Sequence, residues 1–452
     1  MIADELAAWG TAPMDVPAEV RAAAARHLLD GVGTAIGGLR SGTVAAAVEV
    51  ARGLGGPPEA TLFGAADRIG APAAALASGA LVHALDFDDT HAGGLVHATA
   101  VVLPAAFAVG EQVGATGREV LDAAVVGYET VCRVAGAAPH GFHARGLHAT
   151  MAAGVFSSAL VAARLLRLDA ARATDALGIA GSQAGGLLAF LRTGASTKQL
   201  HPGFASHAGI LAARLAAAGA TGPANVFDGP DGLYDALASG PVDRASILDG
   251  LGRRWETTRI GIKPYPACQL SHAALDAVRD ALRQGGGFGA DDVAAIEVDV
   301  HPDSAPIVCD PARDLARPAS PYAAKFSLPW SVAALVLDGD VTTGTYEPAS
   351  IGRPEVAALA RRVRWTVTGD GPAADAPGAA RVSLVDGRTV RGAVKRSAGG
   401  PDTPLSDAQL DAKFLGNAGP SGEGVIALVR GIADLDSLAP LLTALTRVRT
   451  AP

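Results

Sequence analysis

Five short runs place titratable and cationic side chains where an apolar sequence would otherwise continue. The densest is His83-Ala84-Leu85-Asp86-Phe87-Asp88-Asp89-Thr90-His91, followed by His97, set between two apolar helical runs. The second, Arg145–Thr150, carries His148, and the third, Ser196–Gly203, carries Lys198 and His201. The fourth is Lys263-Pro264-Tyr265-Pro266-Ala267-Cys268 with His272 beyond it, and the fifth is Ala324-Lys325-Phe326-Ser327-Leu328-Pro329-Trp330. Each has an ordinary reading: an aspartate caps a helix, a lone histidine packs in a core, a lysine is solvated. Together they exceed what packing needs. Lysines supply point charges for carboxylates, and histidines exchange protons near neutral pH. Removing a proton beside a carboxylate builds negative charge in the transition state, where preorganised cations have their largest effect. The chemistry expected is acid–base work on a ligand with two or three carboxylates.

The elements that must hold these groups are mostly helical. Thr116 and Glu119 have the spacing of a capping box for a helix through Tyr128, and Pro17 fits the first turn of a helix through Val32. Further helices are expected near 42–54, 71–85, 98–113, 150–167, 169–190 and 205–219, joined by glycine–proline linkers. After about residue 262 the pattern changes. Ala294, Ile296, Val298 and Val300 alternate with polar residues as a half-buried strand does, as do Val363-Trp365-Val367 and Val382-Leu384. Asp386-Gly387 predicts a hairpin turn leading to Val390. Helices are expected at 271–284 and 329–337, and helical periodicity returns at Leu405–Leu415 and Ile432–Val448. The fold class predicted is mostly α. A large helical domain, 1–262 completed by 403–452, carries an inserted α+β domain at 263–402.

Composition narrows the function. The 452 residues carry a net charge of −8, with 49% hydrophobic, 18% charged and 4% aromatic residues. An acidic chain lacks the basic face that nucleic acid requires, so no nucleic-acid partner is expected. The mean hydropathy is positive, yet the longest apolar run, near 98–110, is short and holds Pro104, so no membrane span is expected. The N-terminus has neither a basic nor an apolar leader segment. Three widely spaced cysteines, Cys132, Cys268 and Cys309, point to a reducing cytoplasm, and the absence of a CxxC pair argues against zinc or iron–sulfur sites.

At these clusters the chain resembles the MmgE/PrpD family. The family's run His-x-x-Asp-Phe-Asp-Asp-Thr-His, with a later histidine and Val-Leu-Pro, corresponds to His83–His91, His97 and Val102–Pro104. Arg145–Thr150, Ala176–Gln183, Lys198–Gly203 and Lys263–Cys268 with His272 match four further family motifs in order. The resemblance implies a large helical domain with a smaller α+β lid, a cytoplasmic homodimer, and no metal or organic cofactor. It implies activities such as 2-methylcitrate dehydration, cis-aconitate decarboxylation or iminodisuccinate epimerisation. All three make or discharge a carbanion-like centre beside a carboxylate. Carried over by position, it implies that His97 and His148 transfer protons and that Asp86 orients or charge-balances a histidine or a lysine. Thr90 then donates a hydrogen bond, and Lys198 and Lys263 bind substrate carboxylates. His91, His201, Cys268, His272 and Trp330 complete the expected pocket.

Two departures bear on the reaction. Where many relatives end the Lys-Phe-Ser-Leu-Pro motif with tyrosine, this chain has Trp330, whose indole N–H donates a hydrogen bond but is no phenolic acid. Cys268 stands where decarboxylating members resemble a histidine pattern. Both favour a dehydratase or hydratase over a decarboxylase, with an epimerase or isomerase as the alternative. A non-catalytic polycarboxylate-binding relative would lose pocket groups, and all six are present. A magnesium–diphosphate enzyme would need a second acidic motif and an aromatic cavity, and the sequence offers neither.

Overall fold

Alanine and glycine dominate the first half of the chain and let helices approach closely. The computed structural model describes residues 1–286, 288–371 and 373–449. These form two compact units: Met1–Ala189, Thr197–Ile262 and the chain from Ser406 make the first, and Phe190–Ser196 with Lys263–Leu405 make the second. The architecture is mostly α with a smaller α+β portion. Among the described residues no helix is long and apolar enough to cross a membrane. None of the three cysteines is in a disulfide, and all are buried.

Four helices form the centre of the first unit: Ala71–His83, Ala98–Val113, Ala149–Leu165 and Thr197–Ala217. Their apolar residues bury on all sides, as helices in the middle of a large core do. The Ala71–His83 and Thr197–Ala217 helices cross backbone to backbone at two glycines. A Cβ on Gly79 would lie 2.6 Å from the Gly203 nitrogen, and one on Gly203 would lie 2.3 Å from the Leu76 carbonyl oxygen. This crossing sits one turn before His83 and just after Lys198 and His201. Two small residues therefore bring the ends of two chemistry-bearing segments together.

The capping box at Thr116 and Glu119 is present: the Glu119 amide donates to Thr116 Oγ1 and the Thr116 amide to Glu119 Oε2. Pro17 stands just ahead of the first helical residue, Ala18, rather than inside the first turn. Two expected helices have different limits. The helix from 169 ends at Gly181, and the following segment passes through Gly185 and Gly186, the latter at φ +98°. The helix expected from 205 begins at Thr197 and runs through Pro202. A proline there forgoes the bond to the carbonyl of residue 198, a cost met by tight packing around Gly203. Lys198 and His201 are thus helical residues and not part of a preceding loop.

In the second unit a four-stranded sheet has the order Val363–Val367, Val293–Val300, Gly378–Leu384, Thr389–Val394. The first pair is parallel and the others are antiparallel. The hairpin turns at Asp386-Gly387, with Gly387 at φ +88°. Its Leu384 amide donates to the Arg388 carbonyl. The expected alternation holds at the buried Ile296, Val298 and Val300, and fails only at Ala294, where a register irregularity between Val293 and Ala295 turns Val293 inward and leaves Ala294 exposed. The helices expected at 271–284 and 329–337 form as His272–Gln284 and Leu328–Asp338. The Asp407–Ala418 helix carries its own capping box from Ser406 and Gln409, while the stretch from Ile432 divides into a short 3-10 turn and the Ala439–Arg449 helix.

Candidate active site

The Ala71–His83 helix ends at its last histidine, and the chain turns sharply. Asp86 adopts φ +51°, a left-handed conformation that aspartate tolerates better than most residues. The turn drives Asp86, Asp88 and Asp89 inward, and none of the three has any solvent exposure. Burying three carboxylates is costly unless each finds partners. Asp86 Oδ1 lies 3.1 Å from Lys198 Nζ and 3.9 Å from His97 Nε2. Asp88 accepts from His83 Nδ1 at 2.9 and 3.0 Å and faces His97 Nδ1 at 3.4 Å. Asp89 accepts from the Thr99 amide at 2.9 Å and the Thr99 hydroxyl at 2.5 Å. Burial pushes its carboxyl up to about 8 against the lowering effect of Thr99, so it is largely protonated at neutral pH.

Hydrogen bonds decide which nitrogens are available. His97 Nδ1 donates to the Asp89 carbonyl at 3.0 Å. A carbonyl only accepts, so His97 carries its proton on Nδ1 and presents Nε2 for exchange. His148 stands just before the Ala149–Leu165 helix, with its amide on the Gly186 carbonyl. Its Nε2 is 3.1 Å from Thr150 Oγ1 and its Nδ1 is 3.1 Å from His201 Nδ1. The His97 amide donates to the same Thr150 oxygen. A Cβ on Gly186 would lie 2.9 Å from Met151 Cβ and 3.4 Å from His148 Cβ and His201 Nδ1, so only glycine lets this segment lie so close to both histidines.

The rings of His83, His97, His148 and His201 form one stack of neighbours, with centroids 4.4 Å apart for His83–His97 and 5.3 Å for His148–His201. Burial and the charges of Lys198 and His201 hold His148 well below the usual histidine range. His201 is lowered to about 4 by burial, His83 and Lys198. His143, 6.3 Å from His148 ring to ring, is lowered to about 4 by burial, His140 and Lys198. These imidazoles are neutral at neutral pH.

The remaining expected residues divide. Thr90 and His91 form a two-residue strand paired with Ile260–Gly261. Thr90 Oγ1 is buried with no hydrogen-bond partner among the described residues. His91 accepts from the Gly94 amide through Nδ1 and donates through Nε2 to Glu256 at 3.0 Å, so both ring nitrogens are engaged in hydrogen bonds. Lys263, Cys268, His272 and Trp330 belong to the second unit. Lys263 is fully buried, the Cys268 amide donates to the Lys325 carbonyl, and His272 Nε2 bonds the Ala267 carbonyl. Trp330 is buried, and its indole nitrogen has no hydrogen-bond partner among the described residues.

One donor atom each of His83, His97 and His148 lies within 4.8 Å of the others, and His83, Asp86, Asp88 and His97 form a second such group. In both groups some atoms have protein partners: both nitrogens of His148 are hydrogen-bonded and Asp86 is paired with Lys198. A supporting network lies behind them. Lys413 pairs with Asp30 at 2.6 Å, donates to the Phe87 carbonyl at 2.7 Å and covers the Phe87 ring. Tyr128 bonds Thr99, Gln199 donates to the Ala84 carbonyl, and His27 faces Asp89 at 3.5 Å. The capping role expected of an aspartate here falls to Asp89, on the first turn of the Ala98–Val113 helix, whereas the pairing of His83 with Asp88 and the contacts of His143 and Lys413 were not legible in the sequence. Only the local density of His and Asp signalled the first of them.

Residues 5–245 match the MmgE/PrpD N-terminal domain, and residues 265–434 match the MmgE/PrpD C-terminal domain. The chain is 27% identical over 473 residues to a cis-aconitate decarboxylase of Aspergillus terreus, covering 98% of this chain and 95% of the relative. It is 29% identical over 437 residues to the cis-aconitate decarboxylase-like protein oryM of Aspergillus oryzae, covering 91% and 89%. It is 28% identical over 412 residues to the cis-aconitate decarboxylase of Homo sapiens, covering 85% and 82%.

Proposed function

The chain belongs to the MmgE/PrpD family, and from that premise we propose that it is a lyase acting on a small polycarboxylic acid of the cis-aconitate type. The reaction proceeds by proton transfer at a carbon next to a carboxylate. One observation carries this reading: Lys198, paired with Asp86, stands buried in the same cluster as His97, His148 and His201. A bound polycarboxylate brings negative charge next to Lys198 and these imidazoles. It also raises the proton affinity of the neutral imidazoles around it.

Decarboxylation is the first reading, because the relatives named above bear that activity in their names. The bond from carbon to one carboxylate breaks and CO₂ leaves. The electron pair stays on carbon, spread into the neighbouring unsaturated acid. An imidazolium then delivers a proton to that carbon, and solvent restores one proton per turnover. Lys198 stabilises the charge that develops, and Thr90 supplies a hydrogen bond from its buried hydroxyl. His148, held below the usual histidine range chiefly by burial, gains proton affinity when an anion lies beside it. Lys263 is proposed as a second carboxylate partner on its motif match alone.

Hydration or dehydration is the second reading, favoured by Trp330. A base takes the proton beside the carboxylate, and the hydroxyl leaves as water after protonation by the conjugate acid. The test is proton NMR in D₂O with EDTA, using cis-aconitate, citrate, 2-methylcitrate and iminodisuccinate. Loss of cis-aconitate with one deuterium in a decarboxylated product supports the first reading. Interconversion of an alkene and a hydroxy acid supports the second. Unchanged spectra for every acid would sink both.

A further inference from the structure

The single helical turn Gly141–Ala144 is held in place without the side chain of His143. Phe142 is buried with its ring 6.0 Å from that of Tyr234, whose hydroxyl donates to the Val134 carbonyl at 2.7 Å. The Leu147 amide donates to the Phe142 carbonyl, the Ser239 amide to the Gly141 carbonyl, and Arg145 to the Ala236 carbonyl. The His143 ring stands edge-on to that of His148, with centroids 6.3 Å apart and planes at 79°. It is also close enough to Lys198 for that ammonium to disfavour its protonation. All three residues lie in the first unit.

His143 Nδ1 is buried and has no hydrogen-bond partner among the described residues. The other rings beside His148 are each tied to a neighbour: His83 to Asp88, His97 to the Asp89 carbonyl, and His201 to His148 itself. A buried nitrogen with nothing to bond costs stability, so a position that served packing alone would be better filled by an apolar ring. Burial holds the imidazole neutral, lowered to about 4, and a neutral imidazole can carry its one proton on Nδ1 and donate it.

We infer that His143 is a further substrate-binding residue, whose Nδ1–H donates to a carboxylate oxygen of the acid held beside Lys198 and His148. The class of ligand rests on the function proposed above. The donor itself rests on the unmet nitrogen.

The experiment compares the full-length protein with His143→Phe and His143→Asn. It measures the binding of tricarballylate, the saturated analogue of cis-aconitate, by isothermal titration calorimetry, and the melting temperature without ligand. His143→Phe keeps a ring against His148 and removes the donor. Its dissociation constant rises by about tenfold or more, as for a hydrogen bond to a charged group, while the ligand-free protein melts no lower than the unmodified one. His143→Asn brings an amide N–H to the Nδ1 position and restores most of the affinity. His143→Ala carries the test should the phenylalanine variant fail to fold. Unchanged affinity in the variant without a donor overturns the inference. So does a loss of affinity accompanied by a lower ligand-free melting temperature in every variant, which would make His143 a packing residue. Failure of the unmodified protein to bind either tricarballylate or cis-aconitate sinks the proposed substrate class, and the role of His143 falls with it.

Discussion

The helical unit and the α+β unit hold their polar groups in different ways. In the helical unit the groups converge, and each is fixed by another buried group: Lys198 by Asp86, His83 by Asp88, His97 by the Asp89 carbonyl, His148 by Thr150 and His201. The scaffold beneath them is two helices in backbone contact at Gly79 and Gly203. In the α+β unit the corresponding residues stand where elements begin. Cys268 precedes the Gln269–Ser271 turn, His272 opens a helix, and Trp330 lies in the first turn of another. Their bonds run mainly to backbone carbonyls. The first arrangement ties each side chain to another buried polar group.

The comparison breaks most visibly at Lys198. Lys198→Met should cut turnover by about 10²–10³-fold or more. It also removes the Lys198 partner of the buried Asp86 carboxylate, a loss of about 3–5 kcal/mol of stability. The double variant Lys198→Met/Asp86→Asn should recover most of the stability, read by urea denaturation, and none of the turnover. His148→Gln and His97→Gln should each lower kcat by about 10²–10⁴-fold with far-UV circular dichroism unchanged. Gly203→Ala sharpens the scaffold side: a methyl 2.3 Å from a carbonyl oxygen must push two helices apart, at about 1–3 kcal/mol, with activity falling alongside. In the α+β unit the effects should be smaller. Trp330→Phe removes one N–H and should change KM by less than about tenfold, the worth of one hydrogen bond, with kcat nearly constant.

Stability against pH tests the buried neutral imidazoles directly. His27, His143 and His201 are each lowered to about 4, chiefly by burial. Below the unfolded value near 6.5 the unfolded chain binds protons that the native state refuses. Stability is therefore full above pH 6.5 and falls as pH drops towards 4, by up to about 1.4 kcal/mol per pH unit for each histidine. Asp89 acts oppositely. With its carboxyl raised to about 8, its contribution is present below the unfolded value near 4 and is lost as pH rises through 8. Three histidines outweigh one aspartate between pH 4 and 6.5, so melting temperatures should fall on acidification. Flat melting temperatures across that window would contradict the burial assigned to these rings.

Much of this was legible in the sequence, for reasons tied to particular residues. Thr116 and Glu119 announce a helix start because a capping box is a local hydrogen-bond pattern. Val298 and Val300 announce a strand because one face is buried. The His83–His97 run announced itself as buried because apolar helices flank it. The sequence did not reveal the pairing of His83 with Asp88, and the family resemblance left open whether Asp86 serves a histidine or a lysine, since both depend on the left-handed turn at Asp86. It did not place Lys198 in a helix, because Pro202 argues locally for a boundary that packing around Gly203 overrides. Nor did it reveal that His91 turns to Glu256, a partner 165 positions away. Glycine contacts and long-range ion pairs are tertiary facts, and no local pattern encodes them.

The most direct test of the central claim follows cis-aconitate in D₂O containing EDTA by proton NMR, comparing the unmodified protein with Lys198→Met and His148→Gln. The account predicts a decarboxylated product carrying one solvent deuterium on a carbon adjacent to a carboxylate, with both variants reduced at least a hundredfold. Turnover that survives in both variants would contradict it, because the reaction would then owe nothing to the buried lysine–imidazole cluster.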